Sequence, residues 1–218
     1  RRGVLIDRGT LETLRETLTR AIRETEERVY ELAGKQFNVS SPRQVGEVLF
    51  DHLKLGGGKI KKTATGQYRT SADVLSTLKG AHPVLPLLIT YREDTKVLSG
   101  FVEPLLSQVG AAHRIHTTFL QTAAGTGRLA SERPNLQNIP QESGWAKQIR
   151  RSFIASPGFE LVSFDYSQVE LRILSHVTGD PGLAAAFREG KDIHAATAAR
   201  TFGVTDDRVT GEMRRIGK

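Results

Sequence analysis

The eight residues Asp165-Tyr166-Ser167-Gln168-Val169-Glu170-Leu171-Arg172 set a carboxylate between a short apolar run and an amphipathic one. The preceding run, Phe159 to Phe164, is rich in β-formers and follows Pro157-Gly158, which predicts a strand of about six residues. Asp165 then lies at the strand's exit. Leu171, Ile173, Leu174 and Val177 recur at helical spacing up to Gly179. Ser167 and Glu170 fit the S-x-x-E pattern that opens a helix by reciprocal capping. An acid on a rigid strand end beside a helix N-terminus can hold a hard cation against a phosphate. The competing local roles are a turn or cap residue for Asp165 and the capping partner of Ser167 for Glu170.

Other residues suit a polyanion. Arg214 and Lys218 are four apart, so on a helix they project from one face, as a grip on successive phosphates requires; a solvated basic face is the alternative. The Gly-rich segment Gly56 to Gly66 carries Lys59, Lys61 and Lys62 and reads either as a solvated loop or as a phosphate grip. Across 218 residues, 31 Lys+Arg against 24 Asp+Glu leave a formal charge of +7. The resulting pI near 9.9 suits nucleic acid without identifying it. Cysteine is absent, which excludes disulfides and thiolate chemistry. No apolar run approaches the ~20 residues of a membrane span, and the start lacks the apolar core of a signal peptide. An intracellular protein is expected. Both ends read as cut, since the first residue is Arg1 and the last segment stops as a helix opens, so a piece of a longer protein is expected.

These residues need a scaffold. A long helix is predicted from about Thr10 to Ala33 through Leu11, Leu14, Leu18, Ile22, Val29 and Leu32, closed by Gly34. Ser41-Pro42 opens a second through Val45, Val48, Leu49 and Leu53. Ser71 opens a third, and a fourth runs from Pro83 through Leu87, Leu88, Tyr91, Val97, Phe101 and Leu105. After His113 the pattern changes to short strands and turns. The first half is thus helical and the second α/β, with a boundary near residue 110.

The run at Asp165 to Arg172 closely resembles motif A of the family A DNA polymerases, the bacterial polymerase I type. Thr126-Gly127-Arg128-Leu129-Ala130-Ser131 and Pro134-Asn135-Leu136-Gln137-Asn138-Ile139-Pro140 are similar to that family's TGRLSS…PNLQNIP segment. Asp192-Ile193-His194 resembles its DIH element, and Arg214 to Lys218 the first part of its motif B. Phe37 to Ser41, Thr70 to Leu75 and His82-Pro83 fall in the order of its thumb. The resemblance covers essentially the whole chain.

It implies an α+β fold of right-hand polymerase architecture: a helical thumb followed by part of an antiparallel-sheet palm, with incomplete fingers. Residues 1–110 would be mainly thumb, with a basic tip at about 54–69 and the start of the palm. Residues 111–200 would be the palm portion with motif A, and residues 201–218 the start of the fingers, ending within motif B. The implied activity is DNA-directed addition of deoxynucleotides to a primer 3′ end with two Mg²⁺ ions. Asp165 would bridge the metals with the backbone carbonyl of Tyr166 as a further ligand. Ser167, Gln168, Glu170, His194, Arg214 and Lys218 would contact the nucleotide, Glu170 as a steric gate against the ribose 2′ position. Arg128, Asn135, Gln137 and Asn138 would read minor-groove acceptors, with turn formation as the alternative. Arg92, Lys96, Lys59, Lys61, Lys62 and Arg69 would hold the duplex backbone, with plain surface charge as the alternative. The implied partners are primer-template DNA and deoxynucleoside triphosphates, with no membrane partner; a monomer in the bacterial cytoplasm, associated with the nucleoid, is expected. Gln141-Glu142 departs from the family, which commonly places a basic residue there, and Ala130 replaces a Ser. The second catalytic carboxylate, in motif C, is not in this chain. A catalytically incomplete primer-template-binding module is therefore the alternative function.

Overall fold

The computed structural model describes residues 2–58, 62–63, 66–78, 80–140 and 144–217. Lys59, Lys61, Lys218 and the pair Gln141-Glu142 lie outside the described residues. The chain forms two compact units, Arg1–Leu161 and Val162–Lys218.

The first unit is organised by α1 (Arg8–Ala33). Asp7 caps it, its carboxylate accepting from the Thr10 amide at 3.1 Å. Gly34 ends it in the left-handed conformation, φ 70°, which costs Gly no Cβ clash. Leu11, Leu14 and Leu18 pack with Val97, Val102, Leu105, Ile115 and Ile149 in one cluster. Val29, farther along α1, joins a second cluster with Val45, Leu49, Leu75, Leu85 and Leu88. α1 thus meets the start of α4 (Val84–Val97) with its own C-terminal half, and the two helices run antiparallel.

Ser41 caps α2 (Pro42–Gly46), as predicted, but the helix widens to a π turn over Glu47–His52. After α3 (Ala72–Thr77) and α4, a second π turn, Leu98–Val102, leads into α5 (Glu103–Gln108). The single helix predicted from Pro83 is therefore interrupted. Pro104 has no N–H, and on an α path its ring would crowd the carbonyl of Gly100. The wider turn before it relieves that clash.

Strand β1 (Val4–Ile6) is the centre of a three-stranded antiparallel sheet, pairing with β2 (Arg114–Ile115) and β5 (Phe153–Ile154). β3 (Thr118–Leu120) and β4 (Ala130–Glu132) form a separate antiparallel pair, and α6 (Ala146–Arg151) precedes β5. Helices beside small antiparallel sheets make the α+β class expected from sequence. β1 ties residues 114–154 to the N-terminal segment, so these elements belong to the first unit.

The second unit holds α7 (Val169–Thr178), α8 (Pro181–Arg188), α9 (Ile193–Phe202) and α10 (Gly211–Ile216). The strand predicted over Phe159–Phe164 is not formed: the segment pairs with no strand among the described residues. Phe159, Leu161, Val162 and Phe164 are exposed, Phe164 at 93%. An apolar run with both faces hydrophobic becomes a strand only when neighbours supply ladder bonds and cover, and neither is provided here.

Candidate functional site

In the second unit Asp165 and Tyr166 are exposed, ahead of α7. The predicted capping box is not formed. Gln168, not Ser167, takes the N-cap position with φ 54° and ψ 37°, and its own side chain makes no capping bond. Its left-handed backbone turns the chain so that α7 starts at Val169, which displaces Ser167 from the cap. Glu170 is an exposed residue of the first turn. The turn is held from the helix side: Arg172 Nε donates to the Ser167 carbonyl at 3.0 Å, and its guanidinium lies 4.5 Å from the Phe187 ring centroid on α8. Gln168 Oε1 is buried without a hydrogen-bond partner.

The DIH element forms the start of α9. Asp192 is the N-cap, and its Oδ1 accepts from the amides of His194 at 3.0 Å and Ala195 at 3.2 Å. Its Oδ2 pairs with Arg214 Nε at 2.6 Å. The Arg214 guanidinium, aided by the two amides, holds the Asp192 carboxyl below the ordinary carboxylate value. α10 is capped by Thr210, which accepts from the Met213 amide, and it lies close against α9. A Cβ on Gly217 would stand 2.7 Å from the His194 carbonyl oxygen and 2.9 Å from the Ala198 nitrogen. Asp192 therefore touches the backbone amide of His194 and the guanidinium of Arg214, a role the sequence reading missed. The available signal was an Asp directly before the helical run Ile193 to Ala196. Arg172 was missed as well, because its carbonyl partner leaves no pattern in sequence.

In the first unit the predicted minor-groove readers form a knot of local bonds. Asn135 Oδ1 accepts from the Gln137 amide at 3.0 Å and from Ser131 Oγ at 3.3 Å. Ser131 Oγ accepts in turn from the Leu136 amide at 3.1 Å. Gln137 Nε2 donates to the Leu129 carbonyl at 3.0 Å. Arg128 and Asn138 are exposed on the same segment. Asn135 thus performs turn chemistry within the segment Ser131 to Gln137.

The basic residues differ among themselves. Arg92 is half-buried and donates to Thr70, through Nη1 to the carbonyl and through Nη2 to Oγ1 at 3.1 Å. Burial pushes its guanidinium below its ordinary value, and the residue joins α4 to the loop before α3. Lys96 and Arg69 are exposed. Lys62 sits 4.4 Å from the Tyr68 ring centroid, in a bridge that pairs Lys62 with Tyr68. The Tyr68 hydroxyl donates to Asp51 at 2.6 Å, which raises the Tyr68 pKa.

Asp165 offers hard carboxylate oxygen, the ligand type Mg²⁺ takes, but one carboxylate and one carbonyl fill only part of an octahedral shell. Among the described residues no group of three His, Asp or Glu side chains could hold a metal ion. No helix among them is long and apolar enough to cross a membrane.

The family model for DNA polymerase family A matches residues 8–218. The chain is 47% identical over 218 residues to a thermostable DNA polymerase I of Thermus thermophilus, covering 99% of this chain and 26% of that protein. It is 43% identical to DNA polymerase I of Deinococcus radiodurans, covering 100% of this chain and 23% of that one. Among solved structures, the POL domain of Pol1 from M. smegmatis, in complex with DNA primer-template and dNTP, superposes with a TM-score of 0.86 at 43% identity; the match covers 99% of this chain and 38% of that domain. The chain spans about a quarter of the length of the curated relatives it matches.

Proposed function

This chain belongs to DNA polymerase family A, and we propose that it is the thumb and front palm of a DNA-directed DNA polymerase, ending as the fingers begin. The observation that carries the reading is the family match along residues 8–218, which includes the exposed motif at Asp165. The complete enzyme adds deoxynucleotides to a primer 3′ end, in replication or repair, in the bacterial cytoplasm on the nucleoid. It acts as a monomer without a membrane partner.

Asp165 and the Tyr166 carbonyl would hold one side of the two-Mg²⁺ site, which when bound activates the primer hydroxyl and neutralises charge on the leaving pyrophosphate. The chain's own residues orient and select. Ser167 and Gln168 border the nucleotide, and Glu170 closes the sugar position against a 2′-hydroxyl. Arg214, His194 and Lys218 meet the triphosphate, whose charge is spread over oxygens that fork donors match. Arg128, Gln137 and Asn138 check pair geometry from the minor groove, and Lys96, Arg69 and the basic tip grip the backbone through salt-sensitive contacts. Glu170→Ala in the complete polymerase should raise ribonucleotide incorporation; unchanged sugar discrimination would remove the gate role.

A second reading rests on Asp165, which joins no metal-holding group of three among the described residues: as an isolated chain, these residues act as a primer-template-binding module. Primer extension with Mg²⁺ separates the two. The 218-residue chain should bind primer-template with a steep salt dependence and extend nothing. Extension by this chain alone would show that its active site is complete.

A further inference from the structure

The carboxylate of Asp192 touches the backbone amide of His194 and the side chain of Arg214, the two sequence-predicted phosphate ligands of the second unit whose placement is described. Oδ1 accepts the His194 and Ala195 amides, and Oδ2 accepts Arg214 Nε. A helix of six residues such as α10 has little stability of its own, so what sets the direction of Arg214 is how α10 is fixed to α9. Two of the contacts that hold it there are the Asp192 to Arg214 pair and the close approach of Gly217 to the backbone of His194 and Ala198. The guanidinium is planar, so a contact at Nε sets the plane in which both terminal nitrogens lie.

We propose that Asp192 is a positioning residue that joins His194 and Arg214 into one triphosphate-binding surface. The proposal rests on the phosphate-binding reading of those two residues. Asp192 carries negative charge, so its presence near a triphosphate is unfavourable by simple electrostatics. Its contribution is orientation, and the two effects have opposite signs, which makes them separable.

Asp192→Asn keeps an Oδ1 that caps α9 as well as Asp does, but it turns an amide donor toward Arg214 Nε and breaks the tether. Asp192→Ser also caps and is too short to reach. Asp180→Asn is the matched control: Asp180 caps α8 by accepting from the Leu183 amide at 2.7 Å, so the same charge is removed from the same kind of cap elsewhere in the unit. The 218-residue chain is titrated with inorganic tripolyphosphate and followed by ³¹P NMR. Asp192→Asn and Asp192→Ser should each weaken binding roughly fivefold, the scale of one partly exposed ion pair, whereas Asp180→Asn should leave it unchanged or slightly tighter. In an Arg214→Ala background, Asp192→Asn should add no further loss, because it acts through the missing guanidinium. Binding by Asp192→Asn as tight as by Asp180→Asn, or an equal loss with and without Arg214, overturns the proposal. Tripolyphosphate binding by Arg214→Ala equal to that of the unsubstituted chain overturns the phosphate reading of Arg214 itself, and the proposal with it.

Discussion

The unit Arg1–Leu161 buries two clusters of Leu, Val and Ile side chains, whereas in Val162–Lys218 the buried described residues are Ser175, Ile193, Ala198 and Ala199. Several large apolar side chains of the second unit face solvent instead: Val162 is 67% exposed, Ile173 58% and Val177 76%. Its order comes from polar devices at helix ends. Asp180, Asp192 and Thr210 cap three of its helices, and Gly179 and Gly203 close two of them in left-handed conformations. Burial of large aliphatic side chains contributes about 1.5–3 kcal/mol each, while a cap contributes about 1 kcal/mol. The residues nearest the proposed chemistry are therefore the ones with the weaker framework.

The largest expected effect tests that contrast directly. Leu88 is fully buried on α4, and Leu88→Ala should destabilise the first unit by about 2–5 kcal/mol through lost transfer energy and a residual cavity. Val177→Ala on α7 should change stability by no more than about 0.5 kcal/mol. Urea denaturation, followed by probes in each unit, measures both. A Val177→Ala cost near that of Leu88→Ala would show that the second unit has a hydrophobic core after all.

What the sequence made legible follows the same division. The α1 stripe and Gly34 were readable because core packing and a C-cap agree with local spacing over 26 residues. The α7 stripe, Leu171, Ile173, Leu174 and Val177, was equally readable as a helix, yet periodicity reports a face that is fit for burial without showing what covers it. The run Phe159–Phe164 failed for the same reason, since a strand is completed only by its neighbours. For the candidate site, motif spacing and the family resemblance pointed to Asp165 and Arg214. Neither could show that Gln168 would adopt φ 54°, or that Asp192 would reach Arg214 across 22 positions. Such contacts depend on how two helices pack, which spacing within either helix does not specify. Asn135 shows the reverse case, a residue whose turn-forming alternative is the one its bonds display.

An intermediate effect should come from the tight backbone approach of Gly217 in the second unit. Gly217→Ala puts a methyl 2.7 Å from the His194 carbonyl oxygen and 2.9 Å from the Ala198 nitrogen. Neither is a flexible side-chain end, so α10 must shift, at a cost of about 1–3 kcal/mol. Hydrogen exchange should show faster amide opening across Gly211–Ile216 while α1 and α4 keep their protection. Unchanged α10 protection would mean that the helix is not held at Gly217.

The smallest effect is electrostatic and acts at opposite ends of the pH scale at two points, Asp192 in the second unit and Tyr30 in the first. Asp192 has a depressed folded pKa, first from the Arg214 guanidinium and then from its amide partners. A depressed carboxyl contributes stability that is present above its unfolded pKa of about 3.9 and is lost as pH falls through the lower folded value. In the first unit Tyr30, which donates to Glu26 at 2.7 Å, is pushed up to about 12, chiefly by burial. A raised hydroxyl contributes stability that is present below its unfolded pKa of about 10 and is lost as pH rises through the folded value. Acid should thus loosen the hold of Asp192 on α9 and α10, and alkali should act on the α1 surroundings of Tyr30. The Arg214 Nε resonance and the amides of His194 and Ala195 should move together below about pH 4, and Asp192→Asn should abolish that shared transition. If α9 and α10 pass through pH 3 unchanged while the first unit loosens, the tether is not what orders this end of the chain.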